Sequence, residues 1–368
     1  MNLVVTSPRR LFETYGEQGG REVLALTRRL VRTRARRNIP SRLLPIEDGV
    51  PGLEVPGVEP EPDQIAAQLS AVAAVLERGG RRLNSVLLVG GPEVVPFDQI
   101  ANPTPLDGDT IVLSDRRYAG RHREVLPEWS VGRLPGPAGS SAMLARLIRH
   151  TMLLHTQPPD GDLLSFGYSA AIWGRSAATV YHEISPQPPL LSPPVVATTL
   201  DLTLLDRARF IYCNLHGVRD GPVWYGQATE RRSLVVALRP ADLQGRHLRG
   251  AVVVSEACYG ATIGGGRDER SSMALAFLAH GAAGFVGSTA VTYGPIGPPL
   301  GEADLVALHF LRAIQTPGIT LGAAFDAALR GMLADTMARQ TVLDEDDIKT
   351  ALSFVLYGDP TLVVGAVG

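Results

Sequence analysis

The sequence predicts an α/β protein built on mainly parallel sheets flanked by helices. Three observations lead there. Apolar, β-branched runs alternate with helical patterns, as expected for parallel strands joined by covering helices. Apolar residues make up 45% of the 368 positions, enough for a large core. Two of the apolar runs end in a reactive residue followed by a turn, and parallel sheets place their ligands at such strand ends.

Leu3–Val5 opens the chain as an apolar run closed by Pro8, and Leu43–Ile46, Ser85–Val89 and Thr110–Leu113 repeat the pattern. Between them lie helical patterns at Arg21–Arg36, with Leu24, Leu26, Leu30 and Val31 as the apolar stripe, and at Pro62–Arg78. The Pro-, Gly- and Glu-rich segment Gly49–Pro62 reads as a surface loop. A long amphipathic helix at Ser140–His155 runs into Gln157-Pro158-Pro159-Asp160-Gly161-Asp162, where a boundary is expected. Residues 1–157 would form an N-terminal α/β subdomain and 158–368 a second one beside it. The second half opens with a strand at Leu163–Tyr168, passes a proline-rich loop at Pro186–Pro194, and continues with strands at Val195–Thr199, Arg209–Leu215, Ala251–Ser255 and Gly284–Thr289. Helical patterns at Ser271–His280, Leu305–Ile314 and Leu321–Met337 complete it.

Charge narrows the function classes. The 35 basic and 37 acidic residues leave a formal charge of −2, so no global charge attracts nucleic acid or an anionic membrane. Lys349 is the sole lysine; the other 34 basic residues are arginines. Seven arginines fall in the 17 residues Arg21–Arg37. This helix reads as a solvated face. Docking of an acidic partner or of nucleic acid is the sharper alternative, and the lack of interleaved aromatics for base stacking argues against the latter.

From Ser271 to Gly301 no Asp, Glu, Lys or Arg occurs, which imitates a membrane span. His280, Gly281, Gly284 and Gly287 interrupt it, and Pro295, Pro298 and Pro299 follow. A buried helix turning at Gly281 into a buried strand fits better, with no membrane contact. Two cysteines, Cys213 and Cys258, make no disulfide framework and suit a reducing compartment. The stretch Met1–Pro8 lacks the basic region and the roughly 7–15-residue apolar core of a secretion signal, so the cytoplasm is the expected location.

Two segments carry the chemistry. Ala208–Gly217 is a buried-type strand ending in Leu215-His216-Gly217, and Gly250–Gly260 is another ending in Glu256-Ala257-Cys258-Tyr259-Gly260. If the strands are neighbours, His216 and Cys258 share one edge. A cysteine nucleophile needs a base for its proton and an acid for the leaving amine, and a histidine does both near neutral pH. It also needs backbone N–H groups aimed at the developing oxyanion. Gly217 allows close backbone approach, and the Cys258 amide can be the second donor. Either residue alone reads more simply as core or turn; the joint pattern, 42 positions apart, is what favours catalysis. Cys213 reads as core.

The pair of apolar blocks ending in His-Gly and Ala-Cys resembles the caspase-like cysteine peptidases, the clan of caspases, legumains, separases and gingipains. The rest of the chain resembles the gingipain-type family. The matching segments are Ser85–Gly91 with Pro96-Phe97, Ser114-Asp115-Arg116-Arg117-Tyr118, Val131-Gly132-Arg133-Leu134-Pro135 as a turn leading into a helix, Gly284–Thr289, and Tyr357-Gly358-Asp359-Pro360-Thr361-Leu362. The resemblance runs in order from about Ser85 to Val364. It implies a caspase-like fold, Cys258 as nucleophile, His216 as general acid/base, and the amides of Gly217 and Cys258 as the oxyanion hole.

It also implies where a specificity pocket lies: Ser288, Thr289 and Tyr293 on one wall, Ser169–Trp173 on the other. The arginine-specific gingipains carry acids in two places where Ala171 and Thr179 stand here. Glu183 is the nearest carboxylate, followed by Asp268 and Glu269. The expected preference is therefore for neutral or small residues at the cleaved position. Asp107, Asp109 and Asp115 offer oxygen ligands for a structural calcium ion, although surface-turn carboxylates are the preferred reading and no other cofactor is implied. The expected function is a cytoplasmic cysteine endopeptidase acting on protein or peptide substrates. The alternatives are a protease effector activated by a protein partner, or a catalytically weak binding or regulatory module.

Overall fold

The computed structural model describes residues 1–122, 124–157, 164–248 and 250–364. The first half comprises β1 (Asn2–Thr6), α1 (Pro8–Arg36), β2 (Ser41–Pro45), α2 (Pro62–Arg78), β3 (Ser85–Val89), β4 (Asp98–Ala101), β5 (Ile111–Ser114), β6 (Ser130–Leu134) and α3 (Ala142–Thr156). The second comprises β7 (Leu164–Ala170), α4 (Gly174–Tyr181), β8 (Leu190–Ser192), β9 (Ala208–Asn214), β10 (His216–Val218), β11 (Gly221–Gln227), β12 (Leu234–Leu238), β13 (Val252–Ser255), α5 (Met273–Ala279), β14 (Gly284–Ser288), α6 (Glu302–Ala313), α7 (Leu321–Gln340), α8 (Glu345–Ser353) and β15 (Phe354–Gly358). Of the expected boundary segment, Pro158 to Asp162 lies outside the described residues.

Ten strands form one sheet in the order β2-β1-β3-β6-β15-β14-β13-β9-β7-β8. Neighbours are parallel except β14 and β15, so β2, β1, β3 and β6 run opposite to the β14-to-β8 group. A small sheet, β10-β11-β12, and the hairpin β4-β5 stand outside it. The central strands β3, β13, β14 and β15 are buried along their whole length and largely apolar because both faces are covered. Ile211, Cys213, Val253 and Phe285 pack with Leu147 of α3 and Phe277 of α5. Their alternates Phe210, Tyr212, Val252, Val254 and Val286 pack with α4, α6 and α7 on the other face.

Four elements differ from expectation. The first helix begins at Pro8, where the Ser7 side chain accepts the Arg10 N–H, and it is interrupted only at Gly16 (φ 69°). Val131–Pro135 is not a turn: Ser130–Leu134 is the buried strand β6, between β3 and β15. Val195–Thr199 is not a strand. The prolines at 193 and 194 have no N–H to donate to a ladder, and the Thr199 hydroxyl accepts the Val196 N–H in a turn. The sheet takes Leu190–Ser192 in its place. Lastly, Thr110–Leu113 pairs outside the main sheet, as β5 with β4.

Buried Asp359 ties the halves together. Its carboxylate accepts the Arg34 Nε–H at 3.0 Å and bonds His155 Nε2 at 2.8 Å. Burial opposes ionisation, but these two partners hold the carboxyl far below the usual range. The charge-free stretch is α5 followed by β14. Among the described residues no helix is long and apolar enough to cross a membrane.

Candidate active site

Strands β9 and β13 are parallel neighbours with Cys213 level with Ser255. His216 and Cys258 each lie three residues beyond that pair, so the register brings both to the carboxyl edge of the sheet. A cleft of about 230 Å³ opens there, lined by Trp173, His216, Cys258, Thr292, Tyr293, Glu256 and Asp304, among others.

The imidazole is oriented from two sides. Gln227 donates its side-chain N–H to the Arg231 carbonyl (3.2 Å), which turns its Oε1 to accept the His216 Nε2–H at 2.7 Å. This leaves Nδ1 as the free nitrogen. Trp173 packs on the ring, with centroids 4.2 Å apart. Burial lowers the His216 pKa and the Gln227 bond partly offsets it, so the ring is largely neutral at pH 7 and able to take a proton.

Cys258 is partly exposed, and its Sγ accepts the Thr292 N–H at 3.4 Å. Its own N–H has no acceptor among the described residues, as an oxyanion donor requires. The turn after it is tight: Tyr259 has φ 56° and donates its N–H to Ala290 O. Cys213 is fully buried, and burial pushes its thiol far up. Alkylation of the native protein with iodoacetamide is therefore expected at Cys258, with Cys213 at least tenfold slower; peptide mapping by mass spectrometry reads the ratio.

Gly217 packs directly on the cysteine turn. A Cβ there would stand 1.9 Å from the Cys258 carbonyl oxygen, a backbone atom that cannot yield. Gly217→Ala is expected to push the two loops apart and lower kcat/KM by roughly 10²-fold, the effect of ~1 Å misplacement. Steady-state kinetics on the folded variant checks this.

The pocket walls are only partly those expected. Trp173 and Tyr293 line the cleft, but Ser288 and Thr289 do not. Both are buried: Ser288 bonds Ala290, and Thr289 bonds the Leu113 carbonyl at 2.6 Å. Thr292 takes their place. Glu183 does not enter the pocket either; it pairs with Arg312 at 2.9 Å on the outside of the molecule. Thr179 bonds the Arg175 carbonyl on its own helix, and Asp268 caps the turn at Arg270 and Ser271.

A neutral pocket is nevertheless not what the fold builds. Glu256, between β13 and Cys258, and Asp304, in the first turn of α6, both line the cleft. Glu256 and Asp304 lie within hydrogen-bonding reach of each other, with the Tyr212 hydroxyl beside Glu256, and among the described residues neither carboxyl has a cationic partner. Burial, and then the neighbouring Asp304 carboxyl, raise Glu256 well above the usual range. Burial raises Asp304 to about 6. Burial and mutual repulsion thus oppose a second charge on the pair, and among the described residues it has no cationic partner. Glu256 was visible in Glu-Ala-Cys, since an acid ending a buried apolar strand is itself a signal; nothing local marked Asp304, Gln227 or Thr292.

The three aspartates do not form one site. Asp115 pairs with Arg133 (2.9 Å), whereas Asp107 and Asp109 both bind the Lys349 ammonium. Among the described residues no group of three His, Cys, Asp or Glu side chains could hold a metal. On the arginine-rich helix, Arg34 is buried against Asp359, while Arg29, Arg32 and Arg36 are exposed and line a groove with Arg149 of α3.

No family model matches the chain, and no curated protein matches it in sequence. Solved structures do match it in fold. The fold is that of the caspase-like cysteine peptidases. In particular, the chain is similar to the Arg-specific cysteine proteinase gingipain R (RgpB), with TM-score 0.66 and 13% identity over 98% of this chain and 77% of that one. A complex of the Porphyromonas gingivalis RgpB pro- and mature domains gives TM-score 0.67 at 13% identity over 99% and 79% of the two chains. A structure described as a protease gives 0.69 at 12% over 99% and 78%. At this identity the likeness is one of fold.

Proposed function

We propose that the protein is a cysteine endopeptidase that cleaves after basic residues. The thiolate of Cys258 attacks the scissile carbonyl carbon, and the amides of Gly217 and Cys258 bind the resulting oxyanion. His216 takes the thiol proton and returns it to the leaving amine as the C–N bond breaks. Water, deprotonated by the same imidazole, then hydrolyses the thioester and frees the sulfur. Glu256 and Asp304 accept the guanidinium or ammonium of the side chain before the cleaved bond.

The observation that carries this reading is the juxtaposition, in one cleft, of a thiol, an oriented imidazole and a buried acidic pair that has no cation of its own among the described residues. An active site with unpaired buried carboxylates is suited to a cationic side chain, because that cation supplies the missing partner. Similarity in fold to an Arg-specific proteinase supports it from outside the site. Free thiols fit a reducing compartment, and we place the enzyme in the cytoplasm. The test is digestion of a broad peptide library by wild type and by Cys258→Ala. Cleavage after Arg or Lys that disappears in the variant is expected; cleavage by both, or by neither, overturns the proposal.

A further inference from the structure

Two aspartates in the β4–β5 connection reach three loops that surround the cleft. Asp109 Oδ1 accepts the Tyr259 O–H at 2.6 Å and Arg219 Nη2 at 2.6 Å, and its Oδ2 accepts the Val291 N–H at 2.9 Å. Asp107 accepts the Tyr293 O–H, and its Oδ1 takes the Asp109 N–H at 2.8 Å. Tyr259 follows the nucleophile. Tyr293 is a pocket wall, next to the Thr292 that touches Cys258 Sγ. Arg219 lies just beyond His216-Gly217.

Two carboxylates this close repel one another unless a cation stands between them. Here that cation belongs to the chain. Lys349 of α8 is fully buried and donates to both, to Asp109 Oδ2 at 2.8 Å. A chain whose other 34 basic residues are all arginine keeps a lysine at this position. An ammonium is a compact charge that fits between two carboxylates, where a planar guanidinium does not.

We propose that Lys349, Asp107 and Asp109 form a positioning clamp, in which one internal ammonium takes the role of a bound cation and sets the Tyr259 turn beside the nucleophile and the Tyr293 wall of the pocket. The clamp rests on the reading of Cys258 as nucleophile and of this cleft as the substrate pocket. Its two arms act on different kinetic steps. The Asp109–Tyr259 arm fixes the oxyanion donor and the sulfur, which matter in the transition state. The Asp107–Tyr293 arm fixes a wall that touches substrate in ground and transition state alike.

The test uses Tyr259→Phe and Tyr293→Phe, each of which removes one O–H and keeps the ring, with Lys349→Met as the variant that removes the cation. Expected results are a five- to twentyfold lower kcat with little change in KM for Tyr259→Phe, and a three- to tenfold higher KM with little change in kcat for Tyr293→Phe. Lys349→Met is expected to show both effects if it folds; if it does not, the two tyrosine variants decide. Kinetic constants within twofold of wild type in both tyrosine variants would reduce the cluster to a structural brace and overturn the proposal. A wild-type enzyme with no peptidase activity would overturn the functional reading instead. The clamp is then judged by the rate of Cys258 alkylation, which Tyr259→Phe should change at least threefold and which a brace would leave unchanged.

Discussion

Cys258→Ala is expected to abolish peptide cleavage, and His216→Ala to reduce it by about 10²–10⁴-fold, the usual share of a general acid/base. Neither substitution should unfold the protein. Cys258 is partly exposed on a turn, and His216 lies at the edge of the three-stranded sheet rather than in the core. Circular dichroism establishes that the variants are folded, and single-turnover kinetics then separates acylation from deacylation. In His216→Ala both steps should slow, because one imidazole serves the leaving amine and the incoming water. The pH profile offers an independent check. Burial keeps the imidazole pKa below its ordinary value, so activity dependent on its neutral form should persist below pH 6.5. A folded His216→Ala enzyme that retained more than about a tenth of wild-type rate would assign the acid/base role to another group.

Asp304→Asn is expected to lower kcat/KM for substrates with arginine at the cleaved position by about 10²-fold or more, while a substrate with a neutral residue there changes little. Breaking a buried ion pair by removing one partner costs about 3–5 kcal/mol, and the Glu256 carboxyl left beside the bound cation places the effect near the low end of that range. The double variant Glu256→Gln/Asp304→Asn should lose basic preference altogether. The wild-type pH dependence follows with a definite sign. Asp304 is raised to about 6, so below that pH it takes up a proton and the pocket loses its charge. Basic cleavage should therefore rise with pH through about 6, whereas cleavage after neutral residues should lack this component. Preference for arginine that survived the double variant would place the selecting charge elsewhere, with Glu183, now paired to Arg312, as the next residue to examine.

Much of the architecture is local in origin and can be read along the chain. A strand buried on both faces is a short apolar run whatever surrounds it, so β1, β3, β9, β13 and β14 stand out in the sequence. Where such a run stops at a reactive side chain, the strand end and its chemistry are read together, which is how His216 and Cys258 emerge as a pair. Their placement on one edge needed only that β9 and β13 be neighbours, and the register confirms that they are. Local signals failed where the environment, not the segment, decides. Val131–Pro135, expected as a turn from its resemblance to the gingipain-type segment, instead contributes Val131–Leu134 to β6, with Arg133 fully buried because Asp115 and the Gly90 and Val95 carbonyls satisfy its guanidinium.

The pocket shows the same division. Its hydroxyl wall was expected from Ser288 and Thr289, but these side chains turn inward to bond backbone carbonyls. Its charge comes from Glu256 and Asp304, on different elements, and each becomes significant only because the other stands beside it out of water. The partners of Lys349 lie 242 and 240 positions away in the chain. The sequence alone determined the α/β fold class, most of the buried strands and the strand ends that carry His216 and Cys258, because burial pattern and strand ends are properties of contiguous residues. Tertiary structure alone decided the sign of the pocket and the bracing of its walls, because Coulomb energy and desolvation depend on distance through space, which sequence separation does not report.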